Sequence, residues 1–196
     1  MKLFKKDYSA ISDENLMQQF QEGNNNAFKE LYSRYENYVL NFFYGKLWSD
    51  REKAEDFTHD LFTKIIKNPD AFDTSRKFKT WLFSVANNMC KNEYKKQSVR
   101  HEGSQSMPED KEFAGNVQAA DDLVDKKNFA EALKEELDKL GEKHRVVFEM
   151  RHFDGLALNE IAEILEINTG TVKSRLHHAT KHLADKLAVF KKTIAG

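Results

Sequence analysis

Residues 156–183, LALNEIAEILEINTGTVKSRLHHATKHL, place two short helical periodicities on either side of a tight turn. Ile161, Ala162 and Leu165 repeat at helical spacing, and Val172, Leu176, Ala179 and Leu183 repeat at i, i+4, i+7 and i+11. Between them lies Glu166-Ile167-Asn168, with Asn168 as the expected N-cap of the second helix. With Val172, Leu176 and Ala179 turned inward, Thr171, Lys173, Ser174, Arg175, His177 and His178 face outward. Such a pair is a helix-turn-helix, with an apolar back for packing and a polar, cationic front suited to a major groove.

Elsewhere the apolar spacing is also helical, and no alternating strand pattern stands out. The chain of 196 residues contains only two prolines and eight glycines, which fits an all-α fold. A first helix starts near Ser12 and carries Leu16, Met17 and Phe20. Gly23-Asn24-Asn25-Asn26 breaks it, and Asn26 is the expected cap of the next, which carries Phe28, Leu31, Tyr32, Tyr35, Val39, Phe42 and Phe43. A third runs from about Arg51 to Lys67 with Phe57, Leu61, Phe62, Ile65 and Ile66 inward, and Asn68-Pro69-Asp70 ends it. A fourth is expected from about Ser75 to Gln97, with Phe78, Trp81, Leu82, Val85, Ala86 and Met89 as its stripe. Residues 8–97 can thus close a core of their own. Residues 98–125 are polar and acidic with almost no large apolar side chains, so a flexible linker is expected there. Helical spacing resumes near Asp125 with Phe129, Leu133, Leu137 and Leu140, a further helix covers Glu142–His152, and residues 126–192 form the second domain.

Net charge is only −1, which alone argues against a nucleic-acid binder. The distribution argues the other way. Arg76, Lys77, Lys79, Lys91, Lys95, Lys96 and Arg100 form one basic stretch, and Lys173, Arg175, Lys181, Lys186, Lys191 and Lys192 form another. The acidic segment between them makes a spacer separating two nucleic-acid contacts.

No apolar run is long enough to span a membrane, so no membrane insertion is expected. The basic N-terminus lacks the apolar core of a signal peptide. The single cysteine, Cys90, forbids an intramolecular disulfide and fits a reducing cytoplasm. It reads as a semi-buried structural thiol. No phosphate-binding glycine loop, GxSxG, HExxH or cysteine cluster occurs, so no enzyme activity, cofactor or catalytic residue is expected. His178 and His182 have a metal-ligand spacing but lack a third ligand in sequence, and no metal site is assigned. Trp81 lies on the apolar stripe and reads as core; Phe83 lies off it and stays ambiguous. The face carrying Glu55, Asp56, His59 and Asp60 is either a solvated helix side or a docking surface for a basic partner.

Four segments resemble one family. EKHRVVFEMRHFDGLALNEIAEILEINTGTVKSRLHHATKHL resembles region 4 of the bacterial sigma-70 family of RNA polymerase sigma factors. AEDFTHDLFTKI and FKTWLFSVANNMCKNEYKK resemble region 2, and DENLMQQFQEGNNNAFKELYSRY resembles its opening helix. The order and short length are similar to the extracytoplasmic-function (ECF) group, which keeps only regions 2 and 4. The resemblance implies two small helical domains: a region 2 bundle and a region 4 helix-turn-helix. It implies a cytoplasmic promoter-specificity factor that binds core RNA polymerase at its clamp helices and flap, responds to stress or envelope signals, and is held by an anti-sigma factor. It assigns polymerase docking to Glu55, Asp56, His59 and Asp60. It assigns minus-10 recognition to Phe72, Lys77, Lys79, Asn88, Lys91, Asn92 and Lys95, with Phe72 and Asn88 shaping a pocket for a flipped base. Thr169, Thr171, Lys173, Ser174, Arg175, His177, His178 and Lys181 would meet the minus-35 duplex.

The chain departs from the family pattern in four places. His59 stands for Gln, and Glu93-Tyr94-Lys95-Lys96 stands where Asp precedes Arg. Glu166 stands for Gly, costing about 1 kcal/mol if that residue is left-handed. His178 stands for Arg on the reading face, so weaker or mildly pH-dependent promoter binding is expected. Two other classes stay open at this point. A conventional transcriptional regulator would bind DNA tightly without polymerase, and a helical interaction protein would have no promoter effect.

Overall fold

The computed structural model describes residues 8–101 and 122–190. Among these residues every regular element is helical: α1 Asp13–Gln21, α2 Asn25–Lys46, α3 Arg51–Lys67, α4 Phe78–His101, α5 Asp122–Lys139, α6 Glu142–His152, α7 Leu158–Leu165 and α8 Thr169–Lys186. Two 3-10 turns, Pro69–Ala71 and Ala188–Phe190, follow α3 and α8. The chain forms two compact units, the first built on Met1–Val99 and the second on most of Arg100–Gly196.

In the first unit α1 contributes Leu16, Met17 and Phe20 to the core, α2 contributes Leu31, Val39, Phe42 and Phe43, and α3 contributes Leu61, Phe62 and Ile65. From α4 come Phe78, Leu82, Phe83, Ala86 and Met89. Ring pairs join the layers: Phe42 meets Phe83 edge-on at 5.4 Å, and Phe43 meets Phe57 at 5.5 Å. Such pairs add about 0.5–1.5 kcal/mol each beyond the area they bury. Phe83 and Cys90 are both fully buried, so each is core and neither is a surface contact.

Ser12, Asn24 and Asp50 cap α1, α2 and α3. The cap of α2 is Asn24 rather than the expected Asn26, because the Asn24 side chain accepts the Asn26 amide at 3.2 Å and is itself held by Gln19 and Tyr8. The start of α4 is Phe78 rather than Ser75. Asp73 accepts the Ser75 amide at 2.9 Å and holds that stretch in a turn. The Phe78 amide then finds its acceptor far away in sequence, on Glu14 Oε1 of α1 at 3.0 Å. Arg34 fastens the entry to α1 by donating to Asp13 and to the carbonyls of Tyr8, Ser9 and Ile11.

The turn from α2 to α3 is unusual. The Asp50 amide donates to the Leu47 carbonyl at 3.0 Å across Trp48 and Ser49, both with φ of 56°. Paired left-handed residues of this kind are normally Gly, Asn or Asp, and each other residue costs on the order of 1 kcal/mol.

In the second unit Leu137, Val146, Val147, Met150, Ile161, Val172, Ala179 and Leu183 make the core, closed at one end by Phe129 against Phe190 at 5.6 Å. The inward set expected for α8 holds for Val172, Ala179 and Leu183, while Leu176 is half-buried. Helical backbone claims both ends of the expected 98–125 linker, since α4 reaches His101 and α5 begins at Asp122. The rest of that segment lies outside the described residues.

Candidate nucleic-acid and polymerase interfaces

On α3 the buried side is Ala54, Thr58, Leu61, Phe62 and Ile65, and Thr58 satisfies its own hydroxyl on the Ala54 carbonyl. Glu55, Asp56, His59 and Asp60 are consequently all exposed. Arg51 pairs with Glu55 at 2.8 Å, but both side chains are solvated and the pair contributes little. Ile66 was expected inward and is instead 52 % exposed. At roughly 100° per residue it falls on the side of Glu55 and His59. The acidic face therefore carries one apolar side chain that a reading of α3 as a simple amphipathic helix misses.

On α4, Asn88, Asn92 and Lys95 are exposed and Lys91 is half-buried, all on one stripe at i, i+3, i+4 and i+7 spacing. Lys77 is exposed just before the helix begins. Lys79 projects elsewhere: its ammonium lies 5.6 Å from the ring centre of Tyr38 on α2. Phe72 is not available to a base. It is 2 % exposed, packed against Phe78 at 5.3 Å and Trp81 at 5.1 Å. The apolar ring is worth more in the core than on a polar loop. Trp81 keeps some exposure while joining this cluster, so it is core at one edge and surface at the other. Gln21, unremarked in sequence, fixes the loop before α4 by donating to the Pro69 and Phe72 carbonyls at 2.9 Å each. Further along α4, Lys53 meets Glu93 at 2.7 Å, and that hydrogen bond, with a second from Gln97, holds the Glu93 carboxyl below its usual range despite some burial.

On α8 the outward set is as expected. Thr169, Lys173, Ser174, His177, His178 and Lys181 are exposed, and Thr171 and Arg175 are half-buried. Asn168 caps the helix by accepting from the Thr171 amide at 2.7 Å and the Thr171 hydroxyl at 3.0 Å. A Cβ at Gly170 would approach Asn168 Oδ1 to 3.2 Å, so a small residue there protects the cap. His178 lies beside His144 of α6, ring centres 5.9 Å apart. His182 meets Glu136 of α5 at 3.2 Å. Burial works against the Glu136 charge, but Lys139 and His182 together hold its carboxyl below the ordinary value. Among the described residues no group of three or more His, Cys, Asp or Glu side chains can hold a metal ion. None of the described helices is long and apolar enough to cross a membrane.

Glu166, in the turn before α8, has φ of 55°. The left-handed strain anticipated from the sequence is therefore present. Glu166→Gly is expected to stabilise the fold by about 1 kcal/mol, read as a rise in the midpoint of urea unfolding with an unchanged slope.

Beneath α8 sits a charged cluster that sequence reasoning did not single out. Arg145 of α6 is buried, donating to Asp138 at 2.6 Å and Glu149 at 2.8 Å. Burial pushes the Glu149 carboxyl up, against the pull of Arg145, and its second oxygen has no hydrogen-bond partner. The only sequence signal was the i, i+4 spacing of Arg145 and Glu149.

Comparison with known proteins agrees with this layout. Residues 31–100 match the family described as Sigma-70 region 2, and residues 130–183 match Sigma-70, region 4. The chain is 28% identical over 177 residues to the ECF RNA polymerase sigma factor SigW of Bacillus subtilis, covering 87% of this chain and 94% of that one. It is 32% identical over 142 residues to the ECF RNA polymerase sigma factor SigL of Mycobacterium tuberculosis, covering 70% and 76%. Its fold is similar to that of the sigma factor RpoE crystallised with the anti-sigma factor NepR from Bartonella quintana. The TM-score is 0.61 at 22% identity, over 83% of this chain and 97% of that one. It is also similar to CnrH in complex with the cytosolic domain of CnrY, with a TM-score of 0.57 at 20% identity over 90% and 97%. Two regions matched in order on two helical units, together with the relatives covered over most of their length, show that this chain belongs to the sigma-70 family of RNA polymerase sigma factors, in its ECF group.

Proposed function

We infer that the chain is a promoter-specificity factor that docks on core RNA polymerase through α3, captures an opened minus-10 strand along α4, and reads a minus-35 duplex with α8. The observation that carries this is the pairing of an acidic exposed face on α3 with a cationic, amide-bearing face on α4 and a cationic face on α8. Carboxylates such as Glu55, Asp56 and Asp60 repel DNA but complement a basic protein surface. Lysines and amides on α4 can neutralise phosphates and hydrogen-bond base edges. The first turn of α8 adds backbone amides near Thr169 that suit a phosphate, while Lys173, Ser174, Arg175, His177, His178 and Lys181 present side chains to base edges and backbone. The minus-10 set narrows to Lys77, Asn88, Lys91, Asn92 and Lys95. Phe72 acts from below by packing, and Lys79 is held toward Tyr38.

In this reading the chain has no active site, and polymerase supplies the chemistry. It works in the cytoplasm, answers a stress or envelope signal, and is held inactive by an anti-sigma factor. The complexes in which its structural neighbours were solved support that last step.

Replacing Lys173 and Arg175 together by Ala is expected to lower transcription from a cognate promoter by at least about tenfold. It should also flatten the salt dependence of holoenzyme binding to minus-35 duplex by about two charges. Salt-titrated binding of duplex fragments measures the slope. An unchanged slope would remove α8 from the reading face.

A further inference from the structure

The turn between α2 and α3 places a tryptophan where its backbone calls for glycine or asparagine. Trp48 and Ser49 both have φ of 56°, yet Trp48 is 50 % exposed and so gains little burial in return. A side chain held at the surface in a strained conformation marks a position whose use lies outside the core.

The surroundings of the indole bear on that use. One side is fixed: the Tyr94 ring meets it edge-on at 5.2 Å, and the Lys53 ammonium lies 5.1 Å from its centre. Lys53 is in turn tied to Glu93 at 2.7 Å, and the Tyr94 hydroxyl donates to the Lys46 carbonyl. The Lys46 ammonium stands 5.9 Å from the Tyr94 ring centre. Two nearby acids are engaged, Glu93 by Lys53 and Asp50 as the cap of α3. Along α4, Lys91 and Lys95 flank Tyr94 at i−3 and i+1, so the patch runs into the proposed DNA stripe.

A half-exposed indole held rigidly, with one ammonium over its ring and further cations beside it, fits a nucleotide, which brings a π-face and a phosphate together. An acidic peptide would satisfy the cations but offers the indole no planar partner. We propose that Trp48 is a stacking platform for a base of single-stranded promoter DNA, extending the α4 track around the end of α2. This rests on the assignment of the opened strand to α4. Stacking of this kind tolerates any base, so Trp48 adds affinity without narrowing sequence choice.

The test uses holoenzyme assembled from full-length chain and core RNA polymerase. The probe is a fork-junction fragment of a promoter recovered by run-off transcription on genomic DNA. Trp48→Gly suits the left-handed backbone, so the turn itself is relieved rather than broken; circular dichroism and core binding confirm that the chain is intact. The proposal expects fork-junction affinity to fall about tenfold in Trp48→Gly, with most of it restored in Trp48→Tyr and no change toward fully duplex promoter. Unchanged fork affinity overturns it. Loss of core-polymerase affinity with unchanged fork affinity also overturns it and makes the patch a protein-docking surface. A companion variant, Asn88→Ala with Lys91→Ala and Lys95→Ala, separates the two levels. If it keeps fork affinity, the α4 assignment fails; if it loses affinity while Trp48→Gly does not, only the platform fails.

Discussion

Reversing the charge of α3 with Glu55→Lys, Asp56→Lys and Asp60→Lys is expected to weaken binding to core RNA polymerase by at least about 100-fold. Like charges brought together across an interface cost several kcal/mol, and about 2.7 kcal/mol already corresponds to 100-fold. The fold should survive, because all three side chains are exposed. The one ion pair lost among the bonds described, between Arg51 and Glu55, is solvated and contributes well under about 1 kcal/mol. Native far-ultraviolet circular dichroism alongside lost comigration with core polymerase is the expected pair of results. Retained core binding would reduce this face to a solvated helix side.

Arg145→Ala is expected to destabilise the second unit by about 3–5 kcal/mol. It would leave Glu149, whose second oxygen already lacks a partner, buried without the guanidinium that holds it, and would free Asp138. Breaking a buried pair from one side costs about 3–5 kcal/mol. A unit of this size has on the order of 3–10 kcal/mol in total at about 0.05–0.15 kcal/mol per residue, so the loss consumes between about a third and all of it. Against the lowered carboxyl of Glu136, Glu149 contributes a pH dependence of the opposite sign. Its carboxyl is raised in the fold, so its contribution is fully present below the unfolded value and is lost as pH rises toward the folded one. Arg145→Lys should rescue only in part, since an ammonium cannot make two directed bonds to two carboxylates. Joint replacement of Arg145 and Glu149 by Met should come close to neutral, because the penalty belongs to the stranded charge rather than to the missing pair. Thermal unfolding of the three variants, followed by circular dichroism, orders these outcomes.

The parts of the fold that depend on local spacing were legible. The stripe of α1, the cap at Asn168 and the strained Glu166 all follow from side chains a few residues apart. The stripe of α4 holds for Phe78, Leu82, Ala86 and Met89, while Val85 is half-buried and Phe83 fully buried. What failed depended on partners distant in sequence. The first residue of α4 is set by Glu14, 64 positions away, so local caps pointed to Ser75 instead. Three consecutive asparagines offered equivalent caps for α2, and contacts with Gln19 and Tyr8 chose among them. Phe72 carries a polar-loop context in sequence and a core environment in space, because Phe78 and Trp81 close over it. Trp48 escaped notice because a left-handed pair is normally flagged by Gly, Asn or Asp, and Trp48 and Ser49 are none of these. Among the site residues, exposure on α3 and α8 was readable from helical phase, whereas the separation of Lys79 from the rest of its set required Tyr38 to be seen beside it.

The central claim is that the chain confers promoter choice on polymerase. Run-off transcription with purified chain and sigma-free core RNA polymerase over genomic fragments tests it directly. The account predicts discrete transcripts that require both components and disappear with the Glu55, Asp56 and Asp60 reversals. Tight promoter binding by the chain alone with no polymerase-dependent transcript, or no association with core polymerase at all, would contradict it.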